Sequence, residues 1–273
     1  MSKDRQIRNF TDKLRSAGSP MVPTANDLHI KIFADGANIE AMLRYYRDPR
    51  IAGFTTNPTL MRKAGIADYE SFAHHILSVI KDRPISFEVF SDDFAEMERQ
   101  AHAIAGWGEN TNVKIPITNT EGESSTSLIK RLSKSGIKMN VTAITLFEQV
   151  ADVAPVLAQG RGGIVSVFAG RIADAGQDPL PVMTKCVEFL SKYPNVELLW
   201  ASPRELYNLV QAELIGCHII TVTEDILKKL PLLGGDLKQV SLDTVRMFYN
   251  DAQAAAYQIE AKTKTAAASK PKK

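Results

Sequence analysis

Lys114 is the residue of this sequence best placed to do covalent chemistry. It stands in the middle of Asn-Val-Lys-Ile-Pro-Ile at 112–117, an apolar, β-branched run between turn-prone Gly106-Trp107-Gly108 and Thr118-Asn119. That pattern predicts a short buried strand. Side chains alternate faces along a strand, so Asn112 and Lys114 share one face while Val113 and Ile115 take the other. An ammonium buried without a partner is costly and tends to shed its proton. A neutral amine attacks carbonyl carbon, which is the opening step of Schiff-base catalysis. On this segment alone, a lysine snorkelling off an edge strand competes with that reading.

Other runs of the same kind carry polar groups near their ends. Asp35 follows Ile-Phe-Ala, Asn57 ends Phe-Thr-Thr-Asn-Pro, and Glu88 lies between Phe87 and Val89. Asn140 and Thr142 are two apart and share a face, as do Ser166 and Phe168; Arg171 follows, and Ala-Ser-Pro-Arg supplies Ser202 and Arg204. Each has a plain structural alternative. Asp35 and Asn57 could cap helices. Glu88 could face solvent from an edge strand. Asn140 and Thr142 could satisfy each other or backbone groups, and the arginines could be ordinary surface cations. Together they make a site around one lysine. A Lys114 iminium is an electron sink for breaking the adjacent carbon–carbon bond. Glu88 with Thr142 suits the proton transfers, through water, that make and hydrolyse it, and Asp35 could take the hydroxyl proton of the departing aldehyde. Arg171 and Arg204, with Ser166 and Ser202, have the donors to hold a phosphate.

These residues need a frame that gathers strand ends. Apolar β-like runs at 29–35, 53–57, 85–90, 112–117, 138–143, 163–169, 197–202 and 218–222 alternate with helical stretches such as 69–81, 94–105, 124–134, 143–158, 179–193 and 203–214. Short 225–230 follows the last strand, and 241–256 closes the body with a helix. Eight strands each followed by helix predict an α/β fold, a single (β/α)8 TIM barrel with function at the carboxyl ends of its strands. An open doubly wound sheet is the alternative, but no Gly-rich dinucleotide loop follows the first strand. The expected layout is a helical extension over 1–28, the barrel over 29–256 and a basic, low-complexity tail over 257–273 expected to be disordered.

The 273 residues carry a formal net charge of +2, part of it in that tail, which points to neither a nucleic-acid nor a membrane surface. Cys186 and Cys217 form no disulfide framework or ligand pair. The charged start has no apolar signal core and no run is long enough to span a membrane, so the chain reads as cytoplasmic.

The motifs Ala-Asp-Gly at 34–36, Thr-Thr-Asn-Pro-Thr-Leu at 55–60, Val-Lys-Ile-Pro at 113–116, Asn-Val-Thr at 140–142, Ser-Val-Phe-Ala-Gly-Arg-Ile at 166–172 and Ala-Ser-Pro-Arg at 201–204 resemble those of the transaldolases, including the smaller fructose-6-phosphate aldolase-like branch. The resemblance implies a barrel that transfers a dihydroxyacetone unit from a ketose phosphate to an aldose phosphate, in the pentose phosphate pathway, with no cofactor or metal. Its partners would be sugar phosphates, and a homo-oligomer stays open. It makes Lys114 the Schiff-base lysine and Asp35 the acid/base of the carbon–carbon step. Glu88 becomes the acid/base acting through a water held by Thr142. Asn57 and Asn140 would bond the dihydroxyacetone moiety, and Ser166, Arg171, Ser202 and Arg204 the phosphate. Simple aldolases of the family tend to have Gln where Glu88 stands and Tyr where Phe168 stands, so this chain has the transaldolase pair. Gly36-Ala37-Asn38 and Pro203 depart from the best-known members. The alternatives are a Schiff-base aldolase that releases dihydroxyacetone, and a non-catalytic barrel.

Overall fold

Strand-forming runs become β1 (Lys31–Asp35), β2 (Ile51–Thr55), β3 (Ile85–Glu88), β4 (Thr111–Pro116), β5 (Met139–Ile144), β6 (Gly163–Val167), β7 (Val196–Trp200) and β8 (Ile219–Thr223) in the computed structural model, which describes residues 23–259. All pair in parallel with their chain neighbours, and β8 pairs back onto β1, so the sheet closes into the expected barrel. A closed barrel has no edge strand, which removes the edge readings of both Lys114 and Glu88.

The connecting helices are α1 (Ile39–Tyr46), α2 (Pro58–Lys63), α3 (Tyr69–Val79), α4 (Phe94–Ala105), α5 (Thr126–Lys134), α6 (Phe147–Ala158), α7 (Ala169–Asp174), α8 (Leu180–Leu190), α9 (Tyr207–Leu214) and α10 (Glu224–Leu227). The sequence pattern expects a helix after each strand but sets no bounds for α1, α2 or α7. All three are only 6 to 8 residues long, too short to show a clear 3.6-residue period. The strand expected to end at 57 stops at Thr55, because Asn57 already caps α2, and the one expected to end at 90 stops at Glu88.

Burial separates by strand parity. Ile32, Ala34, Val165, Leu198, Trp200 and Ile220 join the large core between barrel and helices. Their alternating neighbours Phe33, Ile164, Leu199, Ala201 and Ile219 form a second, small cluster that fills the barrel floor. Gly53 is part of that filling: a Cβ there would meet the Phe33 ring at 2.6 Å. Above this floor the inward positions turn polar, and the site is built there. Cys186 and Cys217 are buried free thiols, and burial pushes the Cys186 thiol up to about 12.

Residues 23–233 form one compact unit and 234–259 lie in another. The second holds α11 (Leu237–Ala254), capped by Asp236, which starts earlier than the expected 241–256 and buries none of its residues. Among the described residues no helix is long and apolar enough to cross a membrane. The helix expected around Ile7, Phe10 and Leu14, and the tail beyond 259, lie outside the described residues.

The barrel seam is anchored from α9. Glu213, only 4% exposed, accepts the backbone N–H groups of His29 at 2.9 Å and Ile30 at 2.7 Å just before β1. Glu213→Ala strands two amide donors at a buried position and should cost about 1–3 kcal/mol per donor left unpaired. Glu213→Gln keeps an acceptor oxygen and should lose less. Urea denaturation of the two variants checks this, and equal losses would show that packing, not the hydrogen bonds, sets the effect.

Candidate active site

Three consecutive strands place Glu88, Lys114 and Asn140 side by side in register around the barrel. Lys114 is 5% exposed. Its Nζ lies 2.9 Å from Glu88 Oε2 and donates to the Thr56 carbonyl at 2.9 Å. The buried amine therefore has a partner, and that partner is the carboxylate one strand away. Glu88 is held in turn through its backbone. Tyr69, the first residue of α3 behind the Asp68 cap, donates its hydroxyl to the Glu88 carbonyl at 3.0 Å and accepts the Glu88 N–H at 2.7 Å. Burial pushes the Tyr69 phenol well above its ordinary range, so it remains a neutral donor.

Asn140 is clamped on both sides. Its amide donates to Ser86 Oγ at 3.2 Å, and its carbonyl oxygen accepts from Ser166 Oγ at 2.6 Å. Ser166 is thus committed inside the barrel, below the rim where the resemblance groups it with phosphate-binding residues. Thr142 is also buried, two residues on, and its hydroxyl has no protein partner among the described residues. The next residue, Ala143, has φ 62, a left-handed conformation that costs a non-glycine residue about 1–2 kcal/mol.

Asp35 closes the arrangement from β1. Asn38 caps α1, so Asp35 is not needed as a cap. Its carboxylate accepts the Thr55 hydroxyl at 2.7 Å. Burial raises its pKa above the usual carboxylate range; Lys114 and the Thr55 bond pull it down, and Glu88 adds to the rise. A cavity of about 720 Å³ opens beside it, walled by Asn38, Met42, Tyr45, Lys63 and Lys228. Asn57 does cap α2, its Oδ1 accepting from Leu60 N at 3.0 Å, which leaves its amide N–H groups to donate elsewhere.

At the rim, Phe168 packs on the floor cluster and the Arg171 guanidinium lies 5.6 Å from its ring centre. Arg204 forks onto Asp174 with Nε at 2.9 Å and 3.1 Å, while its other nitrogen bonds Asp174 as well. That pairing holds the Asp174 carboxyl below the usual range. The start of α7 and the segment after β7 touch at Gly170, where a Cβ would lie 1.6 Å from the Ser202 carbonyl oxygen, and Ser202 itself has φ 60. Arg171, in α7, and Arg204, in the segment after β7, thus belong to segments in contact.

Comparisons with known proteins give the family and the fold. A family model described as Transaldolase/Fructose-6-phosphate aldolase matches residues 32–270. The chain belongs to that family. A protein named probable transaldolase from Dehalococcoides mccartyi is 35% identical over 202 residues, covering 74% of this chain and 90% of that protein. One of the same name from Caldicellulosiruptor saccharolyticus is 36% identical over 203 residues, covering 74% and 89%. The fold also resembles dihydrodipicolinate synthase from Rhodopseudomonas palustris, with TM-score 0.53, 12% identity and coverage of 86% and 83%, a likeness of fold alone.

Within this transaldolase/aldolase barrel, Glu88 and Asn140 lie in register beside Lys114, Asp35 faces its charge and Ser166 reaches Asn140, whereas Phe168, Ser202, Arg171 and Arg204 stand at the rim. Residues that the sequence reading did not single out are Tyr69, Thr55, Ser86, Thr221 and Asp174. Parity could have found two of them: Ser86 is two before Glu88, and Thr55 is two before Asn57.

The raised Asp35 carboxyl has a stability consequence. A folded-state value above the unfolded one penalises folding at high pH, and the penalty fades as pH falls through the folded value to the ordinary carboxylate value of about 3.9. Asp35→Asn keeps the acceptor for Thr55 and removes the charge. Denaturation should find it more stable than wild type at pH 7.5, with the difference shrinking at pH 4. A difference independent of pH would show that charge burial is not its cause.

Proposed function

We propose that this chain is a transaldolase, moving a dihydroxyacetone unit from a ketose phosphate to an aldose phosphate through a Schiff base on Lys114. The observation that carries the reading is a primary amine inside the barrel, 2.9 Å from one carboxylate, with a second carboxylate on β1 and an unpartnered hydroxyl at Thr142. The names of the relatives, at 35% and 36% identity, support it.

Chemistry follows from the geometry. Lys114 gives a proton to Glu88 along their direct contact and attacks the ketone carbon. Glu88 then returns a proton to the carbinol oxygen, which leaves as water, and the iminium forms. A buried hydroxyl without a partner carries a penalty, and a water bridging Thr142 to Glu88 relieves it at the point where the iminium is made and hydrolysed. Asp35 takes the hydroxyl proton of the carbon that departs as aldehyde. The carbon–carbon electrons flow into the iminium, and the same proton returns when the acceptor aldehyde adds. The clamped Asn140 and the free amide of Asn57 hold the three-carbon unit. Arg171, Ser202 and Arg204 hold phosphate, which competes with Asp174 for the Arg204 fork. Ser166 serves the site through Asn140. No metal or cofactor enters any step of this proposal, and the pentose phosphate pathway is the setting that the family resemblance implies for it.

Borohydride with fructose 6-phosphate should therefore fix one adduct, on Lys114, and none in Lys114→Ala; mass mapping locates it. An adduct on another lysine, or an active Lys114→Ala, would overturn the proposal.

Transfer is favoured over release by Phe168, an apolar ring seated on the floor cluster that gives water no partner beside the intermediate. Phe168→Tyr adds one hydroxyl able to position water. It should keep the Lys114 adduct yet raise the ratio of dihydroxyacetone release without acceptor to transfer onto erythrose 4-phosphate. A ratio unchanged in a folded, trappable variant would put water control elsewhere, and a wild type that already releases freely would favour the aldolase alternative.

A further inference from the structure

Asp35 does not stand alone on Thr55. Thr55 Oγ is also in contact with Thr221 Oγ on β8, and that is the one hydroxyl contact of Thr221 among the described residues. Both threonines are buried, Thr55 at 2% exposure and Thr221 at 5%. A threonine hydroxyl has one hydrogen to donate and lone pairs with which to accept. An ionised carboxylate only accepts. With Asp35 charged, the single order that uses every group is Thr221 donating to Thr55 and Thr55 donating to Asp35. In the reverse order, with Asp35 protonated and donating to Thr55, the Thr221 hydrogen has no acceptor on the described residues.

We propose that Thr221 is a positioning residue for Asp35: by donating to Thr55 it commits the one Thr55 hydroxyl hydrogen to the Asp35 carboxylate and fixes which carboxylate oxygen is left to face the reacting sugar. The inference rests on the reading of Asp35 as the acid/base of the carbon–carbon step. It adds β8 to a site otherwise supplied by the earlier strands. Without the Thr221 hydroxyl, Thr55 is free to turn, and the carboxylate loses both a polarised donor and its fixed rotamer. The device matters because Asp35 is pulled in opposite directions. Lys114 on β4 favours its charge, Glu88 on β3 and burial oppose it, and Lys63, Glu224, Asp225 and Lys228 line the cavity at its side. A directional hydroxyl chain is the one contribution to this balance whose sign is set by geometry alone.

The test is titration of the Asp35 carboxyl in the full chain by carbon-13 NMR of labelled aspartate, with Asp35→Asn supplying the assignment. Thr221→Val, nearly isosteric, should move the Asp35 midpoint to higher pH. It should move the acid limb of kcat against pH for fructose 6-phosphate cleavage in the same direction and lower kcat several-fold, with KM little changed. Thr221→Ser should restore both. A Thr221→Val midpoint equal to wild type overturns the proposal, whatever happens to its melting temperature. A shift that Thr221→Ser fails to rescue also overturns it, since then methyl packing is responsible. The parent reading fails separately: if Asp35→Asn forms the Lys114 adduct and cleaves at the wild-type rate, Asp35 is not the acid/base. The carboxyl titration would still decide whether Thr221 orders it.

Discussion

A positive charge at the axis of a β-barrel requires an answering group within contact distance, and the 2.9 Å pair between Lys114 and Glu88 supplies it. Breaking such a pair by removing one partner leaves the other charged and dry, at about 3–5 kcal/mol. The pair therefore dictates much around it. Glu88 must be held to its place, which Tyr69 does through both backbone groups of that residue. The lysine needs further donors satisfied, and the Thr56 carbonyl takes one of them. The register of β3, β4 and β5 has to hold too, since a slip of one residue would turn the amine out of the barrel.

The inner wall shows how the fold divides its labour. The floor is apolar and closed by Phe33 resting over Gly53, so polar residues above it have no water-filled pore beneath them. In that setting hydrogen bonds between side chains are strong and directional. Asn140 is fixed by Ser166 on the neighbouring strand β6 and by Ser86 on β3, reached past β4 on the other side. The rim is different. Arg171, Arg204 and Asp174 are exposed, and their pairs are screened by solvent and worth little to stability. Rigid polar contacts inside and exchangeable charges outside suit a substrate whose reacting end must be placed exactly where the amine is, while its anionic end can be exchanged.

How much of this could be read beforehand depended on the range of the contact. Strand parity is a local property, and it correctly grouped Asn112 with Lys114 and Asn140 with Thr142. Eight alternating runs were enough to expect a closed sheet. Partners distant in sequence were not legible. Nothing local marks Asp174 as the mate of Arg204, thirty residues on, or Tyr69 as the tether of Glu88. Ser166 was grouped by motif with the rim, yet its hydroxyl is spent on Asn140, a contact between strands that only register reveals. The short helices α1 and α2 take their limits from the Asn38 and Asn57 caps and Pro58, while α7 has no side-chain cap, so their bounds were not legible.

Closure of the ring also has a consequence in time. β1 and β8, the first and last strands to leave a ribosome, are direct neighbours, and the hydroxyls of Thr55 and Thr221 that meet near their seam are 166 positions apart in the chain. Contacts of that separation are entropically slow to form and come late in folding. A nascent chain can hold Lys114 and Glu88 together once β4 is made, since those strands are neighbours in sequence as well as in space. The Asp35 side cannot assemble until the eighth strand has emerged. A partly synthesised barrel would thus hold its proposed nucleophile before its proposed acid/base has its full hydroxyl chain, which only the finished ring completes.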